Sequence, residues 1–412
     1  MKIIQVNTVC GRGSVGRIVV DLYKTIQKAG DIPVAAYGRG DAPADVNGFL
    51  IGNKADFYMH VLRNFFLGES GFGSKGVTDR FVAWLKEQKP DVIHLHNIHG
   101  FYLQTERLFA YLKEAHIPVV WTFHDCWPFT GHCAYFDHVS CDKWKTGCHD
   151  CIQHARAYPY ALFCDNSKQS FLRKKEAFCG VEDLRIVTPS RWLAGLVRQS
   201  FLQEYPVQVI PNGIDLDQFR PTEFAKERGL PGQTDIDQAA KLLLGVANVW
   251  EQRKGLSCFK ELAKRLPDGW RILLVGVNEK QQRELKKEFP SRSIIGIGRT
   301  ENVKELAALY TRADVYVNLT LEDNFPTTNL EALACGTPVI TFDTGGSRES
   351  LNDACGYVVP KGDLDAVLEA LESSLQKPKP VQACLKRAED FDKKKCFKAY
   401  LTLYRHLTDN YV

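Results

Sequence analysis

Five short stretches carry residues equipped for chemistry. The fullest reads Leu321-Glu322-Asp323-Asn324-Phe325-Pro326-Thr327-Thr328-Asn329-Leu330-Glu331 and continues to Cys335-Gly336-Thr337-Pro338. A strand expected at Val315–Leu319 leads into it, and a helix is expected from Thr327. Open backbone amides at that helix start, with the hydroxyls of Thr327 and Thr328, suit an anionic group. Asp323 and Glu331 bracket the start with acceptors fit for sugar or ribose hydroxyls. An ordinary acidic loop before a capped helix does not easily explain a carboxylate at both ends plus a Cys-Gly-Thr-Pro turn. A second stretch, Gly11-Arg12-Gly13-Ser14-Val15-Gly16, spells GxGxxG between strand and helix. Glycines there let backbone approach a phosphate at a helix N-terminus, and a ligand-free tight turn is the plainer alternative.

The third stretch pairs His94-Leu95-His96-Asn97-Ile98-His99 with Trp121-Thr122-Phe123-His124-Asp125, both at expected strand C-termini. Open parallel sheets bind ligands at that end. Lone histidines are more often structural, and His94 and His99 are read that way. The fourth is Cys133-x7-Cys141-x6-Cys148-x2-Cys151. Four thiolates with one Cys-x2-Cys knuckle can supply a tetrahedral structural zinc, with His132 and His149 as substitutes. A reduced, metal-free cysteine-rich loop is the alternative. The fifth, Ala247-Asn248-Val249-Trp250-Glu251-Gln252-Arg253-Lys254-Gly255, places two cations after an apolar strand. Taken alone, it is a solvated basic turn.

The elements that must position these residues follow one scheme, repeated. Strands are expected at Lys2–Val9, Pro33–Tyr37, Asp91–Leu95, Pro118–Thr122 and Leu184–Thr188, with helical patterns such as Gly16–Ala29 and Thr78–Lys89 between them. The second half repeats this with strands at Lys241–Val246, Arg271–Val275, Ser293–Gly296, Val315–Leu319, Pro338–Thr341 and Gly356–Val359. Its helices include Gly255–Leu266, Asn302–Ala313 and Thr327–Cys335. Alternating strands and helices imply parallel βαβ units, hence two doubly wound α/β domains in series. The joint is expected in Ile210-Pro211-Asn212-Gly213-Ile214-Asp215. Domains are set at 1–208, with a Cys-rich insert about 126–160, and at 209–389. A C-terminal helix at 390–412 is expected to pack back on the first domain.

The chain has 412 residues, 44% hydrophobic and 25% charged, which excludes a disordered or collagen-like protein. The net charge of +4 lacks the basic excess of a nucleic-acid binder. No stretch approaches the ~18 uninterrupted apolar residues of a spanning helix, and the first residues do not make a signal peptide. A cytoplasmic protein is expected, with thirteen reduced cysteines. Phe57–Phe72 is aromatic, with His60 and Arg63 interspersed. It reads either as a peripheral membrane face carrying a lipid-linked acceptor or as a helix packed on its own domain.

The second half resembles the retaining family 4 glycosyltransferases. Their motif is a carboxylate, seven intervening residues, a Glu, and then an Ala-Cys-Gly-Thr-Pro-like turn. The resemblance implies the GT-B fold: α/β, two doubly wound Rossmann-like domains facing across a cleft. Aligning Phe325-Pro326 with the family's Phe-Gly makes Asp323 the donor-sugar carboxylate, where the family usually has Glu, and Glu331 the ribose ligand. Arg253 and Lys254 resemble the family pair that holds the donor diphosphate. Two cations and a helix N-terminus can offset charge on that leaving group. Ile210–Asp215 resembles the interdomain Pro-Asn-Gly-Ile/Val-Asp segment, and Gly345-Gly346-Ser347-Arg348-Glu349 the glycine-rich turn facing the donor. A family histidine near the donor sugar corresponds to His124, with Asp125 beside it. His-Asp-Cys-Trp-Pro-Phe-Thr-Gly-His-Cys is similar to polysaccharide-cluster members that carry a Cys-rich insert.

The implied catalytic set is His124, Asp125, Asp323, Arg253 and Lys254. The implied donor site comprises Gly13, Ser14, Gly16, Arg253, Lys254, Asp323, Phe325, Pro326, Thr327, Thr328, Asn329 and Glu331. The implied reaction moves a sugar from a UDP- or GDP-sugar to a glycan or lipid-linked acceptor, with retention and no catalytic metal, in cell-surface polysaccharide biosynthesis. The location would be cytoplasmic or peripheral at the inner membrane face. A nucleotide-sugar epimerase is one alternative, though no acid/base set for it is found. A nicotinamide oxidoreductase using the first glycine loop is another; it needs an acidic residue after the second strand, where only the late Asp41 offers itself. A zinc-dependent interaction or nucleic-acid module is the third, and the near-neutral charge argues against it.

Overall fold

The computed structural model describes residues 1–222, 240–291 and 293–409. The chain divides into two compact units, Met1–Pro211 with the stretch from Cys396 onward, and Asn212–Lys395.

The first unit holds seven parallel strands: β1 (Lys2–Val9), β2 (Ile32–Arg39), β3 (Gly48–Leu50), β4 (Val92–Leu95), β5 (Val119–Thr122), β6 (Leu184–Thr188) and β7 (Val207–Val209). Their order is β3-β2-β1-β4-β5-β6-β7. Direction along the sheet reverses between β1 and β4, so a crevice opens there at the strand C-termini. Helices α1 (Gly13–Lys28), α2 (Lys54–Leu67), α3 (Lys75–Gln88), α4 (Thr105–Ala115), α5 (Ser167–Phe178) and α6 (Arg191–Val197) complete the unit. The central strands are buried on both faces, which is why β1 reads as an apolar run. Ile4 and Val6 pack into one core, and Ile3 packs into another with Ile18, Leu22 and Ile26 of α1.

That second core is finished by the end of the chain. Phe397, Tyr400, Leu401 and Tyr404 lie in it beside Ile3, Val92 and Val120. The Tyr404 hydroxyl is 2.6 Å from His94 Nδ1, and the Tyr400 hydroxyl 3.2 Å from Thr122 Oγ1.

The second unit holds six parallel strands: β8 (Lys241–Val246), β9 (Trp270–Val275), β10 (Ile294–Ile297), β11 (Val315–Asn318), β12 (Val339–Phe342) and β13 (Gly356–Val359). Their order is β10-β9-β8-β11-β12-β13, with the reversal between β8 and β11. Helices α7 (Leu256–Arg265), α8 (Glu279–Glu288), α9 (Val303–Arg312), α10 (Thr327–Ala334), α11 (Leu364–Gln376) and α12 (Val381–Glu389) cover its faces. The final helix, α13 (Lys393–Asp409), begins in this unit. Gly213 is forced by proximity there, because a Cβ on it would come 2.5 Å from Lys393 Cα. Ile214 N–H donates to Phe391 O, Lys393 N–H donates to Ile214 O, and Lys393 pairs with Asp215 at 2.6 Å.

Candidate active site

In the second unit three loops meet at the C-terminal ends of β8, β11 and β12. The loop after β8 carries Arg253 and Lys254 in one 3-10 turn closed by Gly255. Gly255 has φ +74°, and a Cβ on it would fall 2.0 Å from Leu319 O, so only glycine lets this turn lie against the end of β11. Leu321 N–H donates to Arg253 O at 2.8 Å, and Arg253 Nη1 donates to Glu322 O at 3.0 Å. Lys254 Nζ then reaches Asp323 Oδ2 at 2.6 Å. Burial pushes the Asp323 carboxyl up, but Lys254 and Arg253 beside it outweigh this and hold it below the usual carboxylate range. Asp323 is therefore an anion at neutral pH.

The third loop is tied on by Gly346 N–H to Asn324 O at 2.9 Å and Thr344 Oγ1 to Thr320 O at 3.0 Å. Helix α10 starts in the middle of this assembly. Its N-cap is Pro326, which has no side-chain acceptor, so no side chain at that position caps the first-turn amides. Thr327 and Thr328 are half-buried beside them. Glu331 lies one turn on, 6% exposed, and accepts a hydrogen bond from the Tyr310 hydroxyl at 2.8 Å. Tyr310, from α9, was not marked by the sequence, since its link to Glu331 is a tertiary one.

Two members of the expected donor set serve the fold with their side chains. Phe325 sits in the core with its ring 5.6 Å from Phe391. Asn329 is fully buried, donating to Ser350 Oγ at 2.9 Å and accepting from Asn318 at 2.8 Å. What the start of α10 can offer a ligand is thus backbone and the two threonines.

In the first unit the glycine loop follows β1 and the histidines follow β4 and β5, so both flank the crevice. Gly13 is exposed at φ +66° and opens α1, with Ser14 half-buried beside it. Gly16 is a packing residue: a Cβ on it would lie 3.1 Å from Val9 Cγ2 and 3.3 Å from Val9 O. Asp41 lies past the end of β2 at the surface, 3.8 Å from the exposed Arg12. His124 is half-buried, with Nε2 3.1 Å from His96 Nδ1. Asp125 accepts from His99 Nε2 at 2.9 Å and from Trp127 N–H at 2.9 Å, so it orders the turn after β5. Burial raises the Asp125 carboxyl, yet His99 and the Trp127 amide bring it below its ordinary value.

The Cys-rich insert follows directly. Cys133, Cys141, Cys148 and Cys151 line one cavity of about 270 Å³ with His132 and His149. Gly131 N–H donates to Cys148 Sγ at 3.2 Å, and Cys133 hydrogen-bonds Cys151. His132 Nε2 is buried without a partner. Even so, among the described residues no group of three or more His, Cys, Asp or Glu side chains is arranged to hold a metal ion. Lys174, 1% exposed, ties the insert to α5 by donating to Trp127 O at 2.8 Å and Thr130 O at 3.0 Å.

Two family profiles match the chain over its two halves. "Glycosyltransferase Family 4" matches residues 15–218 and "Glycosyl transferases group 1" matches residues 240–377. The chain belongs to the family 4 glycosyltransferases. WcaC of Escherichia coli K12, named for glycosyl transfer in colanic acid biosynthesis, is 24% identical over 400 residues, covering 93% of this chain and 92% of that protein. A Campylobacter jejuni N-acetylgalactosaminyltransferase acting on a diphospho-undecaprenol-linked sugar is 28% identical over 165 residues, covering 39% of this chain and 43% of its own. Sucrose-phosphate synthase from Thermosynechococcus elongatus superposes with TM-score 0.73 at 17% identity, covering 100% of both chains. Anabaena Alr3699/HepE in complex with UDP-glucose superposes with TM-score 0.66 at 13% identity, covering 98% of this chain and 99% of its own. The fold of this family 4 glycosyltransferase is GT-B, and the epimerase and oxidoreductase alternatives fall away.

Proposed function

We propose that this glycosyltransferase moves a sugar from a UDP- or GDP-sugar, with retention and without a catalytic metal, to a glycan or lipid-linked acceptor of cell-surface polysaccharide synthesis. The observation that carries the reading is the Lys254–Asp323 pair, 2.6 Å apart beside the open amides of α10. Arg253, Lys254 and those amides offset the charge on the departing diphosphate in a partly desolvated site, where fixed charges act most strongly. Asp323 accepts from sugar hydroxyls, and Glu331 from the ribose. Gly13, Ser14 and the side chain of His124 are proposed as substrate contacts at the crevice of the first unit's own sheet. The relatives named for colanic acid synthesis and for a lipid-linked acceptor support the choice of acceptor class.

Calorimetry with UDP, GDP and ADP tests the donor site: one diphosphate binds at micromolar level, and Glu331→Ala abolishes it. Binding of none, with or without a nucleotide sugar, overturns the assignment. The anomeric configuration of the first product, read by proton NMR, decides retention.

Peripheral membrane contact is proposed on α2. Tyr58, Met59, Leu62 and Phe66 are 45–67% exposed on this helix, and Phe66 stacks on the 66% exposed Phe163 at 5.0 Å. Such an apolar, aromatic face with Lys54 and Arg63 on the same helix suits an anionic lipid surface. No helix among the described residues is long and apolar enough to cross a membrane.

A further inference from the structure

Gln5, His96 and His124 form a hydrogen-bonded row from the interior of the first sheet to the end of β5. Gln5 is fully buried on β1, and its Nε2 donates to Val19 O at 3.2 Å. A backbone carbonyl only accepts, so this bond fixes the amide orientation, and Oε1 faces His96 Nε2 at 3.3 Å. An amide oxygen also only accepts, so the proton of His96 sits on Nε2. His96 is 1% exposed with its ring 4.0 Å from that of His94. Burial first, then the neighbouring His94 and His124, disfavour its cation, so the ring is neutral and has one N–H. Its Nδ1 is therefore a lone pair, and His124 Nε2, 3.1 Å away, must donate to it.

His124 is neutral too. Burial and His99 lower its pKa to about 4 against the opposing pull of Asp125. Its own Nδ1 is then an acceptor, and it takes no hydrogen bond from the described residues. The half-buried ring stands at the strand end where ligands bind such sheets.

We propose that Gln5 and His96 are positioning residues that lock His124 in the Nε2–H tautomer, so that its Nδ1 offers the sugar an acceptor and selects a hydroxyl that donates. What meets Nδ1 rests on the transferase reading above; the tautomer itself does not. A hydroxyl or N–H satisfies this atom. A fluorine or an ether oxygen in the same place has no proton to give, so the site discriminates by donor capacity rather than size.

Long-range proton–nitrogen NMR on the full chain labelled with 15N-histidine, near neutral pH and without ligand, reads the tautomers directly. Loss of peaks in His96→Gln and His124→Gln identifies the two rings. Both are expected as Nε2–H. In Gln5→Leu the acceptor for His96 is gone, both rings become tautomer mixtures, and turnover falls about tenfold, the worth of one misdirected hydrogen bond. A Nδ1–H pattern for His124 in the unaltered protein overturns the inference, as does an unchanged His124 pattern in Gln5→Leu. Should that variant fail to fold, the unaltered spectrum still decides. Absence of transfer with every nucleotide sugar would sink the function while leaving the tautomer result standing.

Discussion

Lys254 Nζ stands 2.6 Å from Asp323 Oδ2, a bond that joins the loop after β8 to the loop after β11 across the point where strand order reverses. One bridge thereby sets both the charge that would face a diphosphate and the carboxylate that would face a sugar. Lys254→Ala is expected to slow transfer about 100- to 1000-fold, the typical cost of one electrostatic donor at a transition state. Asp323→Asn should lose a comparable factor, and the double variant little more than the worse single one, because coupled groups fail together. A nucleoside diphosphate release assay measures all three. Near-normal turnover in Lys254→Ala removes the pair from the mechanism.

Glu331 and Tyr310 separate binding from chemistry. Glu331→Ala should abolish calorimetric binding of the nucleoside diphosphate. Tyr310→Phe removes one hydrogen bond to Glu331 Oε2 and leaves the carboxylate in place. Its affinity loss should be about fivefold, near 1 kcal/mol. Equal losses in both variants would mean that Glu331 is a packing partner of Tyr310 and not a ligand of its own.

Acid should weaken the fold through histidines that their surroundings hold neutral. His60, His124 and His132 have pKa values lowered from 6.5 to about 4, chiefly by burial. Between those values the unfolded chain binds more protons than the folded one, so stability rises with pH across this window and falls as pH drops through it. Each ring contributes up to about 1.4 kcal/mol per pH unit there, and nothing above pH 6.5. Asp125 and Asp323, held below the ordinary carboxylate range, extend the loss to lower pH. Urea unfolding from pH 7 to 4 checks the slope; a flat profile between 6.5 and 4 contradicts neutral histidines.

A structural zinc at the insert rests on four thiols that share one cavity, although no three of them are arranged as a ligand set in this structure. It predicts about one zinc per chain by elemental analysis. Cys133→Ser with Cys151→Ser should release it and lower the melting temperature, because structural zinc contributes directly to folding free energy. Metal-free protein with four thiols titratable by a disulfide reagent and an unchanged melting temperature favours the plain cysteine-rich loop.

The central strands were legible because burial on both faces writes an apolar run into the sequence, and Leu184–Thr188, Lys241–Val246 and Gly356–Val359 match their expected limits. Gly48–Leu50 and Val207–Val209 were missed, since three-residue edge strands with exposed positions leave no such run. Helix α8 hid for a related reason: only Leu285 is buried in it, so there is no apolar period. Its Asn278–Gln281 capping box was the available signal. At the site, the residue types and spacing of Asp323–Glu331 could be read locally. Gly255 against Leu319, Tyr310 on Glu331 and Gln5 behind His96 could not, because each contact joins segments that only the sheet order brings together.

The end of the chain belongs to the beginning. Cys396 onward fills the core beside Ile3, Ile18 and Val92, and Tyr404 bonds His94, whereas Asn212–Lys395 forms an uninterrupted unit. On a ribosome, the first unit is therefore made first and completed last. At about 5–20 residues per second, tens of seconds of synthesis separate the emergence of β5 from the helix that covers it. Through that interval α1 and the adjoining strands wait with an apolar face bare, the kind of transiently exposed surface that invites aggregation before the fold closes.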